Sequence, residues 1–338
     1  MVPIDIQKDD GYRYRHDIFQ LWDRFLPGTP HERFEWMHKG NPAGGTIWYL
    51  ACTHEGNELI GTATLMPKVF YRGGEKVRGA ILGDIMVKES HQHKGVAARI
   101  QQHIHADMQS LGFAFIYVVP NANARNMLLR SGYSVHDHMD TMVRPVAFEH
   151  YFKCNATICT QVAFPLLRAF MSVTGFRTPW SKKVGFTWLG EFPPPVEDVH
   201  GDILKHDDVF RGDHDPSYLV WRYGKDPHAR FSTLMMNSLN GMMLGYLIFT
   251  VLEKKVHIYD IVCSSLQYRN WMLNEMVCYA EKNSLIGLYI GAARQNPLVT
   301  SLRSKWFLST GDSSDILMYG NDSIGRYPWV FFSADRNI

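Results

Sequence analysis

The sequence predicts an α/β protein with mixed sheets, built as one unit followed by an altered second copy of it. Three observations carry this expectation. Strand-like and helix-like patterns alternate through the first half. Short motifs of that half return, in the same order, in the second. A long apolar stretch and a proline-rich segment lie between the two.

The repeat is the most informative of the three. Phe34-Glu35-Trp36 followed by Asn41-Pro42 returns as Leu219-Val220-Trp221 followed by Asp226-Pro227. Ile60-Gly61-Thr62 returns as Leu244-Gly245-Tyr246, and Asp84-Ile85-Met86-Val87 as Asp260-Ile261-Val262-Cys263. Leu129-Arg130-Ser131 returns as Leu302-Arg303-Ser304, with Tyr133 and Trp306 close behind. Each pair alone is weak, but four in one order are not expected by chance.

Within the first half, 45–53, 57–70 and 77–87 read as strands, rich in β-branched and aromatic residues with turn signals between them. Residues 95–112 carry Val96, Ile100, Ile104 and Met108 at helical spacing and stop at Gly112. The apolar run 113–119 fits a buried parallel strand, and 121–132 a short helix ended by Gly132. Residues 146–200 predict an apolar helical connection, broken at Pro165, with 191–198 (EFPPPVED) as a stiff linker. Peripheral membrane contact is the alternative for its apolar part. The expected organisation is therefore 1–145, connection 146–200, and 201–338.

Composition narrows the function classes. With 46% hydrophobic and 20% charged residues the chain can bury a sizeable core. A formal net charge of +2 and no Lys/Arg run argue against a nucleic-acid partner. Five scattered cysteines without a CxxC pair argue against a disulfide framework and a zinc site. The charged N-terminus does not read as a signal peptide, and no apolar stretch is long enough to span a bilayer. A cytoplasmic protein without an integral membrane segment is expected.

The sharpest chemical signal is the strand-to-helix junction Val87-Lys88-Glu89-Ser90-His91-Gln92-His93-Lys94-Gly95-Val96-Ala97. Small residues at 95 and 97 let backbone approach a phosphate, and a helix N-terminus offers free amides and a positive dipole. Gln92-x-x-Gly95-x-Ala97 resembles the phosphate-binding loop of the GNAT superfamily of N-acetyltransferases. Asn121, Ala124, Met127, Gly132 and Tyr133 fit the short helix that follows in that family. The resemblance implies two tandem GNAT-like units, the second degenerate, with acyl-CoA as co-substrate and no metal. It places the coenzyme against Ile85, Met86, Val87, Gln92, His93, Lys94, Gly95, Val96, Ala97, Ala98, Asn121 and Asn123. Backbone N–H groups near Met86 and Val87 are expected to polarise the thioester carbonyl. The family's frequent tyrosine acid is replaced by Leu128. Asp84 is either the base for the amine or a strand-end carboxylate that caps a loop or holds a cation. His136 and His138 suggest a metal pair, but no third ligand is evident nearby, and a solvated strand is the expected account.

In the second copy, counting Gln267 as the partner of Gln92 puts Asn270 and Met272 where Gly95 and Ala97 stand. Their side chains are expected to obstruct a pyrophosphate. That copy is instead expected on the acceptor side, with Trp36, Asn41, Tyr218, Trp221, Arg222, Tyr223 and Trp306 as candidate contacts. These segments and the ending Pro328-Trp329-Val330-Phe331 resemble N-acyltransferases of surface-polysaccharide pathways acting on dTDP-linked 3-amino-3,6-dideoxyhexoses, some with 3-hydroxybutanoyl donors. Other small amines, antibiotics or peptides remain open as acceptors, as does a non-catalytic coenzyme A sensor or scaffold. A monomer acting through its two units is expected.

Overall fold

The computed structural model describes residues 3–54, 58–151, 165–167, 184–190, 209–320 and 328–336. The first half runs β1 (Ile4–Asp9), α1 (Arg15–Phe25), α2 (Glu32–Glu35), β2 (Ile47–Thr53), β3 (Leu59–Arg72), β4 (Glu75–Val87), α3 (Val96–Asp107), β5 (Phe115–Val118), α4 (Ala122–Arg130) and β6 (Ser134–Pro145). The second begins with β7 (Val184–Leu189) and β8 (Phe210–Gly212), then α5 (Pro216–Leu219), β9 (Ser232–Ser238), β10 (Met243–Leu252) and β11 (Lys255–Cys263). It closes with α6 (Leu266–Lys282), β12 (Gly287–Ala293), α7 (Leu298–Ser304), β13 (Leu308–Gly320) and β14 (Trp329–Val330). From α2 to β6 and from α5 to β13 the order is the same, so the sequence repeat is a repeat of structure.

These segments take the form their side-chain periods dictate. β3 is apolar on both faces because it lies deep in the sheet, buried along nearly its whole length. α3 buries Val96, Ile100 and Ile104 on one stripe against β1–β4. Most of the predicted connection lies outside the described residues. Inside it, Val184–Leu189 forms an edge strand paired with β9, where the sequence predicts a helical connection.

The strands join in one mixed sheet ordered β1-β2-β3-β4-β5-β13-β6-β12-β11-β10-β9-β7, with β8 pairing β3 and β14. The final strand of each half has crossed over: β13 pairs β5 of the first half, and β6 pairs β12 of the second. β6 and β13 also pair with each other, at the centre. One apolar cluster lies under α3 and another under α6. A third, on the opposite face, draws on both halves.

The halves also meet through their repeated tryptophans. α2 continues into a π-helical turn, Trp36–Gly40, and α5 into another, Val220–Gly224. Trp36 and Trp221 stack with ring centroids 4.6 Å apart. Each indole N–H donates to the other's backbone carbonyl at 2.9 Å. Gly40 makes room for this pair, since a Cβ there would lie 2.5 Å from Cδ1 of Trp221. Trp221→Ala removes the ring and leaves Trp36 facing a void, so a loss of about 3–5 kcal/mol in unfolding free energy is expected. Denaturant titration should show one transition at lower midpoint; two separated transitions would mean that the halves fold independently.

Candidate active site

β4 and β5 are parallel, and they pair only over Gly79–Ile81 and Phe115–Tyr117. Beyond that point β4 stays bonded to β3 as far as Val87, while β5 has no partner on the β4 side. Backbone groups of the last residues of β4 therefore line an opening in the sheet, where an amide-bearing chain can be hydrogen-bonded. Next to it β4 carries a bulge: Thr62 pairs Met86 but Thr64 pairs Gly83, one residue more on β4 than on β3. Asp84 sits in this bulge with a φ of 48°. That is a left-handed conformation, which aspartate tolerates better than most residues.

The opening leads to the start of α3. Gly95 is its N-cap, at a φ of 80°, and no side chain caps the helix. A Cβ on Gly95 would meet nothing within 4 Å, so the glycine is needed for its backbone angle and faces open space. His93, Lys94 and Gly95 are exposed, and no acid lies in the first turn. Gln92 points back, its amide donating to the Val87 carbonyl at 3.0 Å, which fixes the loop on the end of β4. The first amides of α3, at Val96, Ala97 and Ala98, thus receive no side-chain cap, and the positive end of the helix dipole lies there. This is a cradle for a phosphate group. Across the opening Asn121 caps α4, its side chain accepting from the Ala124 N–H at 2.9 Å, and Asn123 is exposed beside it. Leu128, by contrast, is wholly buried in the core under α3 and carries no proton chemistry.

The second half has no such cradle, for a reason different from the one expected. β11 ends at Cys263 and α6 begins at Leu266, so only Ser264 and Ser265 replace the whole Lys88–Gly95 loop. Gln267, Asn270 and Met272 lie within α6 rather than in a loop. Ser265 caps the helix and accepts from the Tyr268 N–H at 3.2 Å. The cap uses up a donor of the kind that Gly95 leaves free. A serine directly before a helical apolar pattern is the sequence signal that locates this start.

Other candidates have partners inside the protein. Asp84 forms a buried ion pair with Arg33, 2.9 Å apart, with the two side chains 2% and 1% exposed. Arg33 also lies over the Trp22 ring. Of the two readings of Asp84, the geometry is that of a carboxylate holding a cation. Asn41 is buried, donating to the Pro67 carbonyl and accepting from the Ala43 N–H. Arg222 does not present a free cation: it is buried, paired with Asp226, and its Nε donates to the Ala334 carbonyl. Beside it is a cavity of about 10 Å³. That is room for a single water. Tyr218 and Tyr223 are buried too, the latter donating to Asp260 at 3.2 Å. Trp306 packs on Phe148. The structure therefore gathers Trp36, Tyr218, Trp221, Arg222 and Tyr223 into the joint between the halves and leaves Trp306 apart. His136 packs on Trp329, and His138 pairs with Asp315. Among the described residues no cluster of three metal-ligating side chains occurs.

Residues 14–133 match the Acetyltransferase (GNAT) family model. No curated protein matches the chain by sequence. Among solved structures it resembles a conserved protein of unknown function from Enterococcus faecalis V583, with TM-score 0.67 and 12% identity over 94% of this chain and 71% of that one. It resembles a GCN5-related N-acetyltransferase from Anabaena variabilis ATCC 29413 with TM-score 0.67 and 10% identity over 93% and 72%. Yeast (Saccharomyces cerevisiae) N-myristoyltransferase with bound myristoyl-CoA follows, at TM-score 0.57 and 10% identity over 97% and 89%. Residues 14–133 thus match a domain of the GNAT acetyltransferase family, whose members use acyl-CoA as co-substrate. The opened sheet and the uncapped start of α3 both lie within the matched residues.

Three substitutions test this arrangement. Gly95→Val forces a β-branched residue into the left-handed region, and coenzyme A affinity measured by calorimetry should fall at least tenfold. Ser265→Ala should leave that affinity unchanged while costing about 1 kcal/mol of stability. Asp84→Asn leaves the Arg33 guanidinium buried and uncompensated, so unfolding free energy should drop by about 3–5 kcal/mol. An unaltered midpoint with a reduced kcat would instead give Asp84 the proton-transfer role.

Proposed function

We propose that the protein transfers an acyl group from acyl-CoA to the amine of a nucleotide-linked amino sugar, of the dTDP-3-amino-3,6-dideoxyhexose type, in cytoplasmic steps of surface-polysaccharide synthesis. The observation that carries the acyl-CoA half of this reading is the β4–β5 opening running to the uncapped N-terminus of α3. The acceptor half rests on the sequence resemblance around Trp36, Trp221 and Trp329. In this reading residues 1–145 hold acyl-CoA, residues 201–338 supply the acceptor side, and one chain suffices.

The chemistry asked of the site is modest. A neutral amine attacks the thioester carbon, the C–N bond forms as the C–S bond breaks, and coenzyme A leaves as thiolate. Backbone N–H donation near Met86 and Val87 stabilises the oxyanion. Holding amine and thioester together supplies much of the remaining acceleration. With Leu128 in place of a tyrosine, the thiolate takes its proton from solvent or from the released amine proton. A peptide N-terminus is the second acceptor to test, because the fold runs most of the length of yeast N-myristoyltransferase.

The test is a thiol-release assay with acetyl-CoA and 3-hydroxybutanoyl-CoA against dTDP-3-amino-3,6-dideoxyhexoses, simple amines and peptides. Turnover on the amino sugar, and none on simple amines or peptides, is the expected outcome. Turnover confined to peptides would replace this acceptor, and coenzyme A binding without turnover on any amine would leave a sensor.

A further inference from the structure

On the face of the sheet opposite α6 lies a cleft of about 680 Å³. That volume is within the range of sites that enclose a small molecule. Its floor is formed by β11 and β12, one wall by the 226–231 segment, and its rim by the C-terminal Arg336. The floor is aromatic. His257 stacks on Tyr289 with centroids 5.4 Å apart, and Tyr259 meets Phe231 edge-on at 5.0 Å. Such a floor suits a flat or ring-shaped ligand.

The charge of the cleft is one-sided. Arg230 and Arg336 are exposed in it, and neither has an ion pair among the described residues. Its acid, Asp226, is neutralised by Arg222. Burial, and then Lys255, holds the His257 imidazole below its ordinary value, so the floor is neutral at pH 7.

The cleft also reaches toward the first half. His228 lines it, and its buried Nε2 has no hydrogen-bond partner among the described residues. Burial lowers its pKa, and the charges of Arg33 and Asp84 both act on the ring. The imidazole thus lines the cleft and lies within electrostatic range of the ion pair at the β4 bulge.

The geometry points to this cleft as the acceptor site, taking an amine whose far end carries a diphosphate or phosphate held by Arg230 and Arg336. The assignment rests on the N-acyltransferase reading above and replaces the buried Arg222 as the source of cations. Guanidinium groups suit this task because their paired N–H donors match phosphate oxygens.

The Arg230→Ala/Arg336→Ala double variant tests it, both residues being exposed and outside the core. With dTDP-3-amino-3,6-dideoxyglucose as acceptor, its KM should rise by roughly tenfold to a hundredfold, with the acyl-CoA KM unchanged. With the methyl glycoside of the same amino sugar, which lacks the diphosphate, KM should not move. Equal effects on both acceptors, or none on either, overturn the proposal. If neither sugar is acylated, the amino-sugar reading fails separately. Calorimetric titration of inorganic pyrophosphate into protein saturated with coenzyme A then decides the cleft. A tenfold or greater loss of affinity in the double variant supports it, and unchanged affinity, or no binding by the wild type, overturns it.

Discussion

The reciprocal contact between Trp36 and Trp221 is the constraint around which the two halves are arranged. Each indole needs a carbonyl acceptor when it is buried, and each finds it on the other's backbone. That exchange fixes the distance and rotation between two helical turns from opposite halves. Arg33 and Asp84 are then buried on one side of the joint, and Arg222 and Asp226 close beside it. These charges are tolerable only because each is matched. On the other half, His214 and Tyr223 both bond to Asp260, the repeat partner of Asp84. Burial disfavours a charged His214, but Asp260 outweighs it and holds the imidazole above its ordinary value. Two repeated aspartates thus meet two different basic side chains, an arginine and a histidine, and the pseudo-symmetry stops at the side chains.

The two helices that follow β4 and β11 differ in the same spirit. A helix start that must hold a phosphate leaves its amides unsatisfied in the free protein, which costs stability. Ser265 satisfies one of them in the second half. Such a cap is a gain of about 1 kcal/mol. Gly95 forgoes that gain and adds a left-handed residue. The less stable end is the one suited to a ligand, a common trade at binding sites.

Much of the first half is legible in the sequence because it is governed by local patterns. The strands 45–53, 57–70 and 77–87, the helix spaced by Val96, Ile100 and Ile104, and the Gly95 loop all report short-range geometry. The repeat is legible for the same reason. What the sequence does not disclose depends on long-range pairing. Nothing local in Arg222 says that Asp226 will neutralise it, and nothing in Asp84 names Arg33, fifty-one residues earlier. Counting residue by residue from Gln267 misplaces the start of α6, because the capping signal at Ser265 outranks the count. Arg230 and Arg336 carry no signal as a pair, since only folding brings them to one cleft.

The crossing of β6 and β13 has a consequence for how the protein is made. β5 is flanked by β4 on one side and by β13 on the other, and β13 is made only after β6 to β12. Until then the first half, with the whole Lys88–Gly95 loop already synthesised, carries an open strand edge at β5. Such edges invite pairing with other chains. β6 waits likewise for β12. A chain cut after the first half would therefore leave β5 and β6 each short of a partner strand, and its sheet unfinished.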